Sequence, residues 1–337
     1  MAEINIFFII ISSIGFDLLI GDPEIFLHPV QVIGIYIKKT TNFFIKNFEK
    51  NKVILFLSGF LISISTISVS FFTGKFIEIQ LNQPKFNLIF TVFLFLGLSS
   101  CLATKGLISS VKDISNSLSV ENEGEASLAL IKKKVQKIVS RDVSKSDKTH
   151  LLRSATESLT ENAVDGVFGP LFWIFIGAIS IKYSPNLPGP LSLGFTYKAI
   201  STLDSMIGYK YGAYKYIGYF SAKIEDIATF VPSRLVVITL PLIQREVSSY
   251  FNTIKKVFSD GSKYESPNSG ISEAIFAYLV NIRLGGENEY ANGISIKPEI
   301  NREGNPCSNY SIEYICQLII RLEIMWTVIF TLIFYLS

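Results

Sequence analysis

Apolar residues in this chain occur in runs long enough to cross a lipid bilayer, and polar segments separate the runs. A membrane-spanning helix needs roughly 20 apolar residues. Runs of about this length, with few charges among them, cover residues 4–20, 53–73, 86–103 and 318–336. The pattern predicts four membrane helices.

Two further apolar runs, residues 167–181 and 230–243, contain glycine and proline. Broken helices are tolerated at membrane depth where their backbone is buried in protein or lines a wet cavity. We therefore expect an all-α, multi-pass helical membrane protein with about four to six membrane segments and helical cytoplasmic loops. It is expected to form a single integral-membrane domain over residues 1–337.

The lysines and arginines of the polar segments indicate an orientation. Residues 22–52 contain five lysines, and residues 104–162 contain eight lysines and two arginines. Segments rich in Lys and Arg tend to stay in the cytoplasm. This rule places both segments in the cytoplasm and the N-terminus outside.

The same rule creates a conflict for residues 184–228. If both 167–181 and 230–243 cross the membrane, this segment lies outside, although it contains many residues suited to chemistry. We hypothesise that the two runs do not both cross as simple helices. Labelling of a cysteine near Asn186 from outside the cell alone would contradict this hypothesis.

Composition agrees with a membrane protein, because only 18% of residues are charged and the mean hydropathy is +0.39. The net charge of +3 and the absence of a long basic run exclude an evident nucleic-acid partner. Among the polar segments, residues 121–139 are predicted to form a solvated helix and residues 244–270 a polar connector. Residues 285–310, rich in Gly, Asn and Pro, are predicted to be irregular.

The strongest local pattern has four charged residues at intervals of four: Arg153, Glu157, Glu161 and Asp165. On a helix they form one stripe. Neighbouring acids at this spacing repel each other by about 0.2–0.5 kcal/mol. Arg153 can compensate one acid, and a hydrated Mg²⁺ carrying phosphates can compensate the others. A solvated helix face with one ion pair is the alternative interpretation, and the spacing alone does not decide.

A second cluster runs from Asp204 to Asp226 and contains interleaved tyrosines and lysines. These aromatic and basic residues are typical of a belt at the membrane interface, or they form a platform for a large flat ligand. Arg234 can bind a carboxylate or phosphate, or snorkel to the interface. The chain contains no GxGxxG, HExxH, GxSxG or P-loop motif.

Six stretches of the chain are distinctive in sequence and in order. They are DLLIGDP (17–23), HPVQVIG (28–34), RSATESLTENAVDGVFGPLFW (153–173), YKAISTLDSMIGYKYGAYKYIGYFSAKIEDIATFVPSRL (197–235), SPNSGISEA (266–274) and RLGGENEY (283–290). In this order they resemble the CbiB/CobD family of cobalamin-biosynthesis membrane proteins, the adenosylcobinamide-phosphate synthases, and the resemblance covers nearly the whole chain.

The resemblance implies an amide-forming ligase that uses ATP and Mg²⁺. Its partners would be a corrinoid, (adenosyl)cobyric acid, and aminopropanol or aminopropanol phosphate. The product would be (adenosyl)cobinamide or its phosphate. The resemblance also implies a place in the cell membrane, an active site facing the cytoplasm and contact with other cobalamin-pathway enzymes.

Roles for individual residues follow as hypotheses from this resemblance. The predicted catalytic acids are Glu157, Glu161, Asp165, Asp204, Glu225 and Asp226, of which the first three would hold Mg²⁺ with ATP. The predicted substrate-binding residues are Asp22, His28, Asn162, Lys210, Arg234, Asn268 and Arg283. Two alternatives remain: an ion-coupled transporter, favoured by acids beside broken spans, and a non-catalytic membrane sensor or assembly protein.

Overall fold

The computed structural model describes residues 2–21, 29–81, 83, 87–119, 125–244, 249–290 and 293–336. Contacts within the chain group into two compact units. The first unit comprises residues 1–105, 165–229 and 327–337, and the second comprises residues 106–164 and 230–326. The single integral-membrane domain expected from the sequence stays a prediction.

The protein is all-α apart from one β-hairpin. Its helices are α1 (Ala2–Leu19), α2 (Pro29–Phe48), α3 (Lys52–Gln80), α4 (Asn87–Ser99), α5 (Thr104–Ser119), α6 (Glu125–Gln136), α7 (Lys148–Ala163), α8 (Gly169–Tyr183), α9 (Pro190–Ile207), α10 (Tyr214–Ile217), α11 (Tyr219–Ala228), α12 (Phe230–Thr239), α13 (Tyr250–Gly261), α14 (Ser269–Val280) and α15 (Asn309–Leu336). A π-helical turn, Val164–Phe168, joins α7 to α8, and a 3₁₀ turn, Leu240–Ile243, follows α12.

Within the described residues, five helical stretches are long and apolar enough to cross a membrane. They are Lys52–Gln80, Asn87–Leu118, Lys148–Tyr183, Tyr219–Ile243 and Asn309–Leu336. These stretches contain the predicted spans 53–73 and 318–336 in full and 86–103 from Asn87 onward. They also contain both glycine- and proline-bearing runs. The predicted span at 4–20 is helical as α1, and its apolar part, Ile6–Leu19, is among the shorter apolar helices.

The charged residue within the first apolar run, Asp17, has a structural role. Asp17 is almost fully buried, and its carboxylate accepts a hydrogen bond from the Thr104 backbone N–H at 2.9 Å, where α5 begins. The first N–H groups of a helix have no partner within the helix. Asp17 therefore caps α5 in the way that an N-cap side chain would.

In the first unit, α3 packs closely against α9 and α10 through two glycines. A methyl group on Gly74 would lie 2.6 Å from the Ser192 Cα of α9, and one on Gly59 would lie 1.9 Å from the Ile217 carbonyl oxygen of α10. Small residues allow membrane helices to approach this closely. Since the start of α9 meets the end of α3, the two helices are antiparallel.

The start of α9 is also fixed by two charged side chains of α3. The Glu78 carboxylate accepts hydrogen bonds from the backbone N–H groups of Gly189 (3.1 Å), Leu191 (2.8 Å) and Ser192 (2.9 Å). Lys75 donates to the carbonyl oxygens of the connecting loop, those of Pro185 and Leu187. The loop 184–189 therefore lies at the C-terminal end of α3.

This geometry predicts the sides on which two loops lie. If α3 starts in the cytoplasm, as the lysines of residues 22–52 indicate, loop 184–189 lies outside and α9 leads back inside. A cysteine at Asn186 should then react with an impermeant maleimide in intact cells. A cysteine at Lys215 should react only after permeabilisation.

This expectation for Asn186 departs from the hypothesis drawn from the sequence. The two expectations differ because the sequence did not predict that α9 runs antiparallel to α3, with the loop that contains Asn186 at the C-terminal end of α3. Equal labelling of both cysteines in intact cells would contradict the arrangement.

A β-hairpin forms where an irregular segment was expected. Strand β1 (Leu284–Tyr290) pairs antiparallel with β2 (Gly293–Ile300), with an irregularity between Leu284 and Gly286. Gly285 and Gly286 have φ of 81° and 86°, a region that disfavours other residues. The expectation for residues 285–310 was wrong in this part, because glycine-rich composition conceals strands that tertiary contacts stabilise.

The polar connector predicted at 244–270 contains a helix, α13, which packs on α14. Its apolar residues lie on one face, so Val257 is buried while most neighbouring side chains stay exposed or half-buried. The predicted solvated helix within 121–139 is confirmed as α6. There Lys134 forms an ion pair with Asp113 at 2.9 Å.

Candidate functional site

In the first unit, predicted acids surround a buried tyrosine. Tyr197, on α9, is 1% exposed, and its hydroxyl shares a hydrogen bond of 2.9 Å with the Thr229 hydroxyl. A methyl group on Gly169 would lie 2.1 Å from the Tyr197 oxygen, so the phenol rests directly on the α8 backbone. Glycine at 169 therefore lets the phenol enter this position.

Three carboxylates lie close enough to this phenol to interact with it electrostatically: those of Asp165, Glu225 and Asp204. Asp165 lies in the π-helical turn, Asp204 near the end of α9 and Glu225 on α11. Glu225 is 8% exposed, and the other two are half-buried. Three of the six predicted catalytic acids are thus brought together by three different elements.

The neighbouring acid Asp226 lies in a different environment. Its carboxylate pairs with Lys223 at 3.2 Å on the more exposed side of α11. Consecutive helix residues point about 100° apart, so Glu225 and Asp226 cannot both face Tyr197. The structure separates two residues that the sequence analysis treated as one group.

No pattern in the sequence indicated Tyr197, the residue with which these three carboxylates interact. Its burial results from packing between α8, α9 and α11, which no local pattern shows. The signal that could have found it is position: Tyr197 lies seven residues before Asp204, on the same face of a helix.

In the second unit, Glu157 is completely buried and fully engaged. One carboxylate oxygen lies 2.5 Å from the Arg141 guanidinium, and the other accepts the Gly285 backbone N–H at 2.9 Å. The Nε of Arg153 lies 3.8 Å from the same carboxylate. Glu157 therefore connects α7 to strand β1 and to the segment before α7.

Asn288 of β1 completes this arrangement. Its side-chain oxygen accepts hydrogen bonds from Arg141 at 2.6 Å and from Arg153 at 3.2 Å. Arg153 also donates to the Glu287 carbonyl oxygen at 2.5 Å. Asn288 and the Glu287 carbonyl oxygen therefore orient both arginines.

A second buried carboxylate, Glu273 of α14, lies in the same unit. It pairs with Lys297 of β2 at 3.3 Å and accepts a hydrogen bond from the Tyr264 hydroxyl at 3.3 Å. Burial raises the pKa of Glu273 to about 8, and the Glu157 and Glu161 carboxylates add to this rise against the opposing effect of Lys297. Glu273 is a titratable group that the sequence analysis did not single out.

Two predicted substrate-binding residues bind each other instead. Arg234 donates a hydrogen bond to the Asn268 side-chain oxygen at 2.6 Å and another to the Pro267 carbonyl oxygen at 2.9 Å. Its guanidinium also stacks on the Phe230 ring, 3.6 Å from the centroid. This arrangement fixes the turn before α14, a structural use for both residues.

The remaining predicted residues are dispersed. Asn162 is exposed and donates to the Ser158 carbonyl oxygen at 2.8 Å, Lys210 and Arg283 are exposed, and Glu161 is half-buried. Asp22 and His28 lie outside the described residues.

The acids predicted to hold Mg²⁺ do not fit that role together. Both Glu157 oxygens already have protein partners. Asp165 lies in the π-helical turn that follows α7, and this turn interrupts the regular helical stripe. Among the described residues, no group of three His, Cys, Asp or Glu side chains is placed to hold a metal ion.

Known proteins resemble this chain over nearly its whole length. The family described as CobD/Cbib protein matches residues 10–319. The "Cobalamin biosynthesis protein CobD" of Leptospira interrogans (serovar copenhageni) is 32% identical over 326 residues, 96% of each chain. That of Clostridium acetobutylicum is 33% identical over 325 residues, 96% of this chain and 97% of the relative.

An archaeal relative is equally similar. The "Probable cobalamin biosynthesis protein CobD" of Methanocaldococcus jannaschii is 35% identical over 323 residues, 94% of this chain and 98% of the relative. No solved structure matches the chain significantly. The extent of these matches shows that the chain belongs to the CobD/CbiB protein family.

Proposed function

We propose that this protein acts in cobalamin biosynthesis as a membrane enzyme. It forms an amide bond between aminopropanol, or aminopropanol phosphate, and the propionate carboxylate of (adenosyl)cobyric acid. Membership of the family and the names of the relatives support the pathway. The predicted stretches that resemble adenosylcobinamide-phosphate synthases support the reaction.

The observation that carries the proposal is that the carboxylates of Asp165, Asp204 and Glu225 all interact electrostatically with the buried phenol of Tyr197. An aliphatic amine is an ammonium cation at neutral pH. Carboxylates in a poorly hydrated site attract such a cation and accept its proton, which frees the nitrogen to attack. Holding the amine next to the activated carbonyl carbon supplies several kcal/mol more.

ATP is proposed as the energy source, because an unactivated carboxylate is a poor electrophile. Transfer of the γ-phosphoryl group of ATP to the propionate would give an acyl phosphate and ADP, and attack of the amine on the acyl carbon would form the amide and release inorganic phosphate. No step is assigned to a metal at Glu157, because both of its carboxylate oxygens have partners within the protein. We place the protein in the cell membrane with its site facing the cytoplasm, where ATP and both substrates are found. The five apolar helices support the membrane assignment.

Product formation by the purified protein tests the proposal. Detergent-solubilised protein is incubated with adenosylcobyric acid, ATP, Mg²⁺ and either aminopropanol or aminopropanol phosphate, and the products are read by mass spectrometry. A mass gain that corresponds to the amide is expected, and its size identifies the amine. Folded protein that gives no product with either amine, but moves an ion across vesicles, would favour the transporter alternative.

Replacement of Asp204 by asparagine should lower kcat/KM at least about 100-fold, because a positioned acid or base typically contributes 10²–10⁴-fold. The substitution keeps the shape of the side chain. The matched control is Asp113→Asn, which removes a carboxylate that is paired with Lys134 in the second unit. Equal rates for Asp204→Asn and Asp113→Asn would exclude Asp204 from the reaction.

A further inference from the structure

Two polar cavities of the second unit adjoin each other beside the start of α7. Their volumes are about 280 Å³ and about 400 Å³. His150, Arg153 and Glu287 line both cavities. We call the two neighbouring cavities together the α7 pocket.

Basic side chains from three segments line the α7 pocket. They are Arg141, Lys145, His150, Arg153 and Arg283. The charge of Arg141 is matched by Glu157. Arg153 is oriented by Asn288 and the Glu287 carbonyl oxygen, while its Nε is buried without a hydrogen-bond acceptor. Lys145 lies just before α7 and Arg283 lies just before β1, so these two basic residues come from different segments of the chain.

Four acids also line the α7 pocket: Asp142, Asp147, Glu287 and Glu299. Asp142 accepts the Ser144 backbone N–H at 2.8 Å, and this bond keeps its pKa low. Asp147 accepts the His150 backbone N–H at 2.8 Å as the N-cap of α7, and Glu299 pairs with Arg302 at 3.2 Å. A hydrogen bond does not remove the charge of a carboxylate, so these three acids and the exposed Glu287 all oppose a bound anion, whereas the basic side chains favour it.

Glycine keeps the pocket open on the β1 side. Gly285 and Gly286 line the larger cavity. A methyl group on Gly286 would lie 3.1 Å from the Arg153 guanidinium nitrogen. Any larger side chain at this position would enter the space in front of Arg153, so glycine leaves the guanidinium accessible to a ligand.

We propose that the α7 pocket binds a phosphate group, with Lys145, Arg153 and Arg283 as its ligands. Guanidinium and ammonium groups form short, charge-assisted hydrogen bonds to phosphate oxygens. The proposal rests on the proposed function, whose substrates provide two sources of phosphate: a nucleoside triphosphate and aminopropanol phosphate. Lys145 and Arg153 were not assigned this role by the sequence analysis.

Equilibrium binding to the detergent-purified full chain tests the proposal. The probes are ATP without Mg²⁺, aminopropanol phosphate and inorganic phosphate, each measured by isothermal titration calorimetry. The variant Lys145→Gln/Arg283→Gln should raise Kd at least about tenfold, the effect of losing charge-assisted contacts. Glu287→Gln should lower Kd, because it removes a like charge. Lys133→Gln, an exposed lysine of α6 away from the pocket, should leave Kd unchanged.

Opposite shifts for the double variant and Glu287→Gln support the proposal, and the probe with the lower Kd identifies the source of the phosphate. Equal affinity of the double variant and wild type would overturn it, as would an equal loss in Lys133→Gln or no binding of any probe at millimolar concentration. Because no cobyric acid is present, the result is independent of whether the amide is formed.

Discussion

Replacement of Glu157 by leucine is expected to destabilise the second unit by about 3–5 kcal/mol, the usual cost of removing one partner of a buried ion pair. The Arg141 side chain is 9% exposed and would lose its carboxylate. The Gly285 N–H would lose its acceptor as well. The expected result is a large fall in the midpoint of thermal unfolding in detergent.

Two further variants serve as controls for this measurement. Glu313→Leu makes the same chemical change at an exposed position of α15 and should cost little. The double variant Arg141→Met/Glu157→Leu removes both members of the pair and should recover part of the loss, because Arg141 no longer leaves an unpaired buried charge. A midpoint for Glu157→Leu within error of wild type would show that the carboxylate is not needed to hold the hairpin.

Replacement of Gly74 by alanine is the second large effect that we expect, because it forces α3 and α9 apart. The added methyl would meet the Ser192 Cα at 2.6 Å and the Leu191 carbonyl carbon at 2.8 Å. These are backbone atoms and cannot rotate away. Overpacking typically costs about 1–3 kcal/mol and occasionally more. The unfolding midpoint should fall, together with any activity that depends on Tyr197.

Gly15→Ala is the matched control, since a methyl group there meets no atom within 4 Å. Glycine inside a helix costs roughly 0.5–1 kcal/mol relative to alanine. This control should therefore be neutral or slightly stabilising. If Gly74→Ala behaved in the same way, the close packing of α3 on α9 would be refuted.

Hydropathy was sufficient to predict the membrane helices. Residues 53–73 are apolar almost throughout, and α3 extends this run at both ends. The two glycine- and proline-bearing runs also became long helices, because Pro170 and Pro232 lie near the first turn of α8 and α12. Proline is tolerated there, since the first N–H groups lack helical partners in any case.

Less of the candidate site than of the helices could be predicted from the sequence. Spacing identified Glu157, but only the hairpin shows that Arg141 and Gly285 engage it. Arg234 and Asn268 are 34 residues apart, and only the structure shows that they bind each other. Such pairings depend on long-range packing, which the local periodicity of a single sequence does not contain.

The cap that Glu78 provides for α9 has a consequence for the synthesis of the protein. The carboxylate precedes its first backbone partner, Gly189, by 111 residues. At about 5–20 residues per second, this separation corresponds to roughly 6–22 s of translation. Throughout this interval the Glu78 carboxylate lacks its three backbone N–H partners, and an unpaired carboxylate is costly inside a bilayer. The capped junction between α3 and α9 can therefore form only after residues 189–192 have been synthesised.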